Sequence, residues 1–229
     1  TAIHKPEFTM LEWYRMYADY SFIMDETERL VKSIFSDARF RSILPEGLYP
    51  IIDCESWPRI TVLDAFRRWA EIDLGECFDQ LKFYTRLKEI GFVSANETDS
   101  WDDLFNKVLI EKIEPMLKGQ GAVFLIDYPI RLAAMARQCD KNSNFAERAE
   151  LYVNGIELAN GYTELNDPEE QRARFVDART SQQEECAIDE QYLSQLEVGL
   201  PPAGGIALGV DRLVMIATGS SDLKQITSF

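Results

Sequence analysis

The sequence predicts an α+β protein, a sheet flanked by helices, on three observations. Strand-like runs rich in aromatic and aliphatic residues gather near the N-terminus and again beyond residue 119. A mainly helical block at 54–118 separates them, which divides the chain into a discontinuous body, 1–53 with 119–229, and an insertion. An Asn154-Gly155 pair joins two of the late runs as a hairpin, the short-range signature of antiparallel pairing.

Each element has its own signal. "EFTMLEWYRMY" at 7–17 reads as a strand, and period-two alternation puts Phe8, Met10, Glu12 and Tyr14 on one face. Over 20–36, Phe22, Ile23, Leu30, Ile34 and Phe35 recur at helical spacing. The Gly/Pro-punctuated "LPEGLYPIID" leads into two short amphipathic helices, "TVLDAFRRWAEIDL" and "CFDQLKFYTRLKEIGF". A third helix, "DSWDDLFNKVLIEKIEPML", has Asp99 or Ser100 as its cap. "GAVFLIDYP" is a continuous apolar strand stopped by proline, and "FAERAELYVNGIELANGYTEL" is the hairpin. In "NDPEEQRARF" Asp167 caps a helix, Pro168 fits its first turn, and Glu169 and Glu170 complement the helix dipole. "GGIALGVDRLVMIATG" is a small-residue strand, a pivot at Gly209 and an apolar helix.

Composition narrows the function classes. The chain has 229 residues, 46% hydrophobic and 28% charged, with a formal net charge of −15. That balance disfavours a nucleic-acid surface, which needs clustered Lys and Arg. No apolar run reaches the length of a spanning helix and no signal-peptide pattern is present, so the chain reads as cytoplasmic with no membrane partner. Four dispersed cysteines and a single histidine, His4, supply no zinc-ligand pairs and no Ser-His-Asp constellation.

Three stretches carry candidate chemistry. In the second hairpin strand Asn160, Tyr162 and Glu164 share a face, and a bulge at Ala159-Asn160-Gly161 would bring Glu157 onto it. Such acids suit a divalent cation or an ammonium group, although an exposed hairpin with ordinary surface acids fits the same letters. Arg212 opens an apolar helix after a glycine-rich strand, placed either to lie over an aromatic base or phosphate or to pair with Asp211 or a neighbouring acid. The strand bearing Phe8, Glu12 and Tyr14 is either a ligand wall or a plain amphipathic edge.

Taken together, these strings resemble the lysine branch of the class II aminoacyl-tRNA synthetases. "HKPEFTMLEWYR" is similar to the end of motif 2, "ELANGYTELNDPEEQRARF" to the lysine-pocket strand and its helix, and "GIALGVDRLVMIATG" to motif 3. The resemblance implies a mainly antiparallel sheet and activation of an amino acid as its adenylate by ATP with Mg²⁺. Within the branch the chain looks closest to the elongation factor P–lysine ligases, on Trp13 in "MLEWYR", Ala159 in "ELAN" and the run "YPIRLAAMAR". That implies lysine or β-lysine as substrate and a lysine of elongation factor P as acyl acceptor, with tRNA disfavoured. The alternatives are a lysyl-tRNA synthetase catalytic fragment and an inactive paralogue that binds amino acid, nucleotide or a protein.

Residue by residue, the resemblance implies that Phe8 and Arg212 sandwich adenine, with His4, Leu158 and Gly209 beside the nucleotide. Glu157 and Glu164 hold Mg²⁺ against the phosphates and, with Arg212, form the catalytic set. Glu12, Tyr14, Ala159, Asn160, Tyr162 and Glu164 line the lysine pocket, and Ala159 biases it toward β-lysine. Two departures stand out. Lys5 replaces the asparagine usual in the family, and the sequence opens inside motif 2, so motif 1, which forms the family's homodimer interface, and an α-phosphate arginine are expected to lie outside it.

Overall fold

A computed structural model describes residues 2–41, 43–133, 135–182 and 187–226. Its centre is a seven-stranded sheet of β1 (Met10–Met16), β2 (Arg59–Thr61), β3 (Ala122–Pro129), β4 (Gln138–Cys139), β5 (Asn142–Val153), β6 (Ile156–Thr163) and β7 (Ala203–Gly209). The strand order is β1-β7-β6-β5-β3-β2, with β4 paired to β5. Every pairing is antiparallel except β2 with β3. The expected α+β fold is present. One strand, β2, falls inside the block read as helical, because three residues are too few to set a period.

The helices are α1 (Tyr20–Ser36), α2 (Ala38–Arg41), α3 (Tyr49–Asp53), α4 (Val62–Ala65), α5 (Gln80–Glu89), α6 (Trp101–Val108), α7 (Glu114–Leu117), α8 (Pro168–Gln182), α9 (Glu190–Val198) and α10 (Val210–Thr218). The start signals act as written. Asp167 Oδ1 accepts from Glu169 N and Glu170 N at 2.9 and 3.0 Å. Ser100, rather than Asp99, caps α6 in a reciprocal box with Asp103. Two stretches expected as single helices are broken instead. The one after β2 passes into a π turn at Phe66–Ala70 and stops at Glu71, whose φ is 59°. The other passes through a π turn at Leu109–Ile113 just before Pro115, which has no N–H to continue the ladder.

Alternation along the strands divides most of the interior into two large cores, beside a small cluster of Ala133, Ala136 and Ala146. Val123, Leu125, Tyr128 and Tyr152 pack against Phe66, Phe83, Trp101, Phe105 and their neighbours in the helical block. On the opposite face Phe124, Leu151, Leu158, Ile206 and Leu208 pack against α1 and α10 through Ile23, Val31, Phe35, Leu213 and Ile216. The unbroken apolar run of β3 is explained by this double burial. The helical block therefore covers its face of the sheet over β2, β3 and β5. Over β6, β7 and β1 the same face carries the cavities described next.

Candidate functional site

The hairpin turn places Asn154 and Gly155 at φ 51° and 79°, the left-handed pair that a type I′ turn requires. It sets a register in which Glu150 faces Asn160 and Arg148 faces Tyr162. The register slips between Leu151↔Ala159 and Tyr152↔Glu157, so Leu158 is the extra residue. The expected bulge exists, one to three residues earlier than the sequence suggests, and it turns Glu157 onto the face of Asn160, Tyr162 and Glu164.

Strand β7 makes the floor. On this face it offers only Ala203, Gly205, Ala207 and Gly209, with Gly205 between Tyr14 and Tyr162 and Ala207 between Glu12 and Asn160. A Cβ at Gly205 would lie 2.6 Å from the Tyr14 ring and 3.1 Å from Glu164 Oε1. Bare backbone there opens the space that larger side chains on β1 and β6 enclose.

Two adjoining cavities result. All six residues expected on the nucleotide side, His4, Phe8, Glu157, Leu158, Gly209 and Arg212, line one of about 270 Å³. The backbone explains how Phe8 comes to face the start of α10. Val210 N donates to Thr9 O at 2.9 Å, and Thr9 N donates to Asp211 Oδ2 at 2.6 Å. Asp211 is thus occupied by the backbone, and Arg212 turns to Glu157, donating to its carbonyl at 2.6 Å and lying 3.4 Å from its carboxylate. Phe8 is 64% exposed, so a face of its ring is open to stacking.

The second cavity, of about 140 Å³, is lined by Glu12, Tyr14, Asn160, Tyr162 and Glu164, five of the six positions expected around lysine. Ala159 is the exception. It borders the larger cavity, but its side chain alternates to the opposite face of the sheet, where it is buried with Leu151 and Leu208 in the core against α1 and α10. Glu164 is the chemical centre of this pocket. It is only 7% exposed, its Oε1 has no hydrogen-bond partner among the described residues, and burial pushes its pKa up to about 7.

The expected metal pair, Glu157 with Glu164, is distributed between the two cavities. The carboxylate beside Glu157 is Glu150, which the sequence reading did not single out. Burial raises the Glu157 pKa, Glu150 raises it further, and Arg212 opposes both. Glu150 accepts from Tyr128, Tyr152, Arg148 and Asn160, so it also fixes the side chain that divides the two cavities. A lone acid in the apolar run "AELYV" was the available signal. Trp13 has a structural occupation, donating through Nε1 to Glu26 at 2.9 Å and tying β1 to α1.

No helix of the described residues is long and apolar enough to cross a membrane. Cys54, Cys77 and Cys139 are free thiols, and Cys186 lies outside the described residues.

Known proteins similar to this chain point to one family. The family model described as tRNA synthetases class II (D, K and N) matches residues 1–229. A lysine–tRNA ligase of Carboxydothermus hydrogenoformans is 37% identical over 230 residues, covering 99% of this chain and 46% of that protein. Lysine–tRNA ligases of Pelotomaculum thermopropionicum and Magnetococcus marinus are each 36% identical, again over 99% of this chain and 45% and 46% of their own lengths. The chain thus spans about half the length of the curated relatives it matches. These relatives favour the tRNA-ligase reading of the motifs over the elongation factor P reading, and they remove the ground for disfavouring tRNA. A net charge summed over the chain says nothing of where an RNA would be held.

Proposed function

Because the chain belongs to the class II tRNA synthetases of the D, K and N group, we propose that it activates lysine with ATP and passes the lysyl group to a lysine-accepting tRNA. The observation that carries the amino-acid assignment is Glu164. A buried carboxylate with an unmatched oxygen, next to the cavity lined by Phe8 and Arg212, calls for a cationic partner, and the ammonium of a lysine side chain supplies one.

In the first step an oxygen of the lysine carboxylate attacks the α-phosphorus of ATP. A carboxyl–phosphate bond forms, the bond from that phosphorus to the bridging oxygen breaks, and pyrophosphate leaves with the electron pair. In the second step a hydroxyl of the acceptor attacks the activated carbonyl and AMP departs. Neither step needs a protein nucleophile; both need alignment and charge neutralisation. Phe8 and Arg212 hold adenine between a ring and a guanidinium, which requires Arg212 to leave the Glu157 carboxylate. Glu164 and the phenols hold the amine end, while the division at Asn160 sets the lysine carboxylate toward the phosphates.

Among the described residues no group of three acidic, His or Cys side chains converges as a resident metal site. The donors still suit magnesium arriving with the nucleotide, which asks for one or two carboxylates beside phosphate and water oxygens. Glu157, backed by Glu150, would hold it, and the bound ion would neutralise phosphate charge. Glu164 is left to the amine.

Transfer to a lysine of elongation factor P shares the first step and rests on the short runs around Trp13, Ala159 and "YPIRLAAMAR". Lysine-dependent exchange of pyrophosphate into ATP tests activation. Acylation of lysine tRNA against elongation factor P then tests the acceptor. Exchange with lysine followed by charging of tRNA supports the proposal. Charging of elongation factor P alone would transfer the assignment to that protein, and binding without exchange would reduce it to a binding module.

A further inference from the structure

Glu164 lies two residues beyond the last pair of the β5–β6 ladder, Arg148 with Tyr162. On the β7 side its backbone is still held, Glu164 N donating to Ala203 O at 2.8 Å. On the other side β5 gives way to a stretch of chain between β3 and β4. Ala136 bridges Glu164 there, Arg137 N donates to Thr163 O at 2.8 Å, and Leu165 N donates to Met135 O at 2.9 Å. The same stretch backs the pocket wall, since Ala133 and Ala136 form with Ala146 the small apolar cluster on which Tyr162 packs. No described group holds Glu164 Oε1, so the place of that oxygen is inherited from the backbone.

That stretch is itself held from α8. Arg174 Nη1 donates to Ala133 O at 2.9 Å and to Ala136 O at 2.7 Å, and its Nη2 pairs with Glu170 one turn earlier on the helix. Two carbonyls thus converge on one guanidinium nitrogen, which fixes the turn closed by Ala136 N donating to Ala133 O at 3.1 Å. The Arg174 side chain is only 13% exposed. It lines neither cavity, so its effect on a ligand passes through this turn.

We propose that Arg174 is a positioning residue of the amine pocket: by clamping the carbonyls of Ala133 and Ala136 it sets the backbone of Glu164 and the wall behind Tyr162. The assignment rests on the amino-acid reading given above and adds to it a support from α8. Its consequence is selectivity for a cationic chain end, because a displaced carboxylate weakens its hold on an ammonium group and changes little for an apolar one.

Calorimetric titration of the 229-residue chain with lysine, norleucine and ATP tests it in Arg174→Met and Arg174→Lys. Methionine keeps an unbranched stem without the donors, while lysine keeps a charge beside Glu170 but not the fork. Lysine affinity falls about ten-fold in the methionine variant, the scale of one weakened hydrogen bond to a charged group. In the lysine variant it falls about three-fold, a partial rescue. Affinities for norleucine and ATP stay as in the wild type, so the preference for lysine over norleucine drops by the same factors. A merely structural Arg174 would lower all three affinities together or none, and either result overturns the proposal. Should the methionine variant not fold, the lysine variant decides alone by the same ratio. A wild-type chain that binds no lysine is a different outcome: it overturns the amino-acid reading, and this assignment with it.

Discussion

Glu164 is a residue placed against its own stability. Folding raises its pKa from 4.5 to about 7, so between those values the folded state binds more protons than the unfolded one. Stability therefore falls as pH rises through this window, and above pH 7 the empty pocket carries an uncompensated charge. Glu164→Gln removes the charge. At pH 8 the variant is more stable than the wild type by about 1–2 kcal/mol, after allowance for screening at the cavity mouth, and the gap closes below pH 4.5. Denaturation at the two pH values measures it, and a wild type more stable at pH 8 would refute the assigned strain. Lysine binding moves oppositely, weakening as pH drops below 7 and the carboxylate takes a proton. Arg212 offers the complementary case. Arg212→Lys keeps the charge but loses the flat surface, so ATP affinity falls about 3- to 30-fold in equilibrium titration while lysine affinity holds.

At the scale of elements, the site depends on how the strands are registered. Much of this is written in the sequence: the Asn154-Gly155 turn, the alternation of Asn160, Tyr162 and Glu164, and the small residues of β7 are visible as letters. What is not visible is the pairing across the hairpin. Glu150 becomes the neighbour of Glu157 only because Leu158 is the bulged residue, and no rule of spacing fixes a bulge to one position. The β7 floor gives a sharp test. Gly205→Ala puts a methyl group against the Tyr14 ring and near Glu164 Oε1. Tyr14 is exposed and can swing aside, so the fold survives and lysine affinity drops more than ten-fold with ATP affinity kept. Equal losses for both ligands would indicate a distorted sheet instead.

Over the whole molecule, two cores on opposite faces hold one sheet, and the helical block covers only the half of its face that is not the site. The division into body and insertion is read from the helical patterns between strand-rich regions, and the packing adds that β2 of the block joins the sheet beside β3. The proposed adenine and amine subsites therefore share one continuous surface, divided at Asn160, which donates to Glu150. The proposed chemistry follows from that continuity, since the reacting carboxylate and phosphate meet where the two cavities join. The most direct test is a crystal structure of this chain with lysine and a non-hydrolysable ATP analogue. The account predicts adenine between Phe8 and Arg212 and the lysine ammonium within hydrogen-bond distance of Glu164. Ligands bound elsewhere, or a lysine turned with its carboxylate toward Glu164, would contradict it.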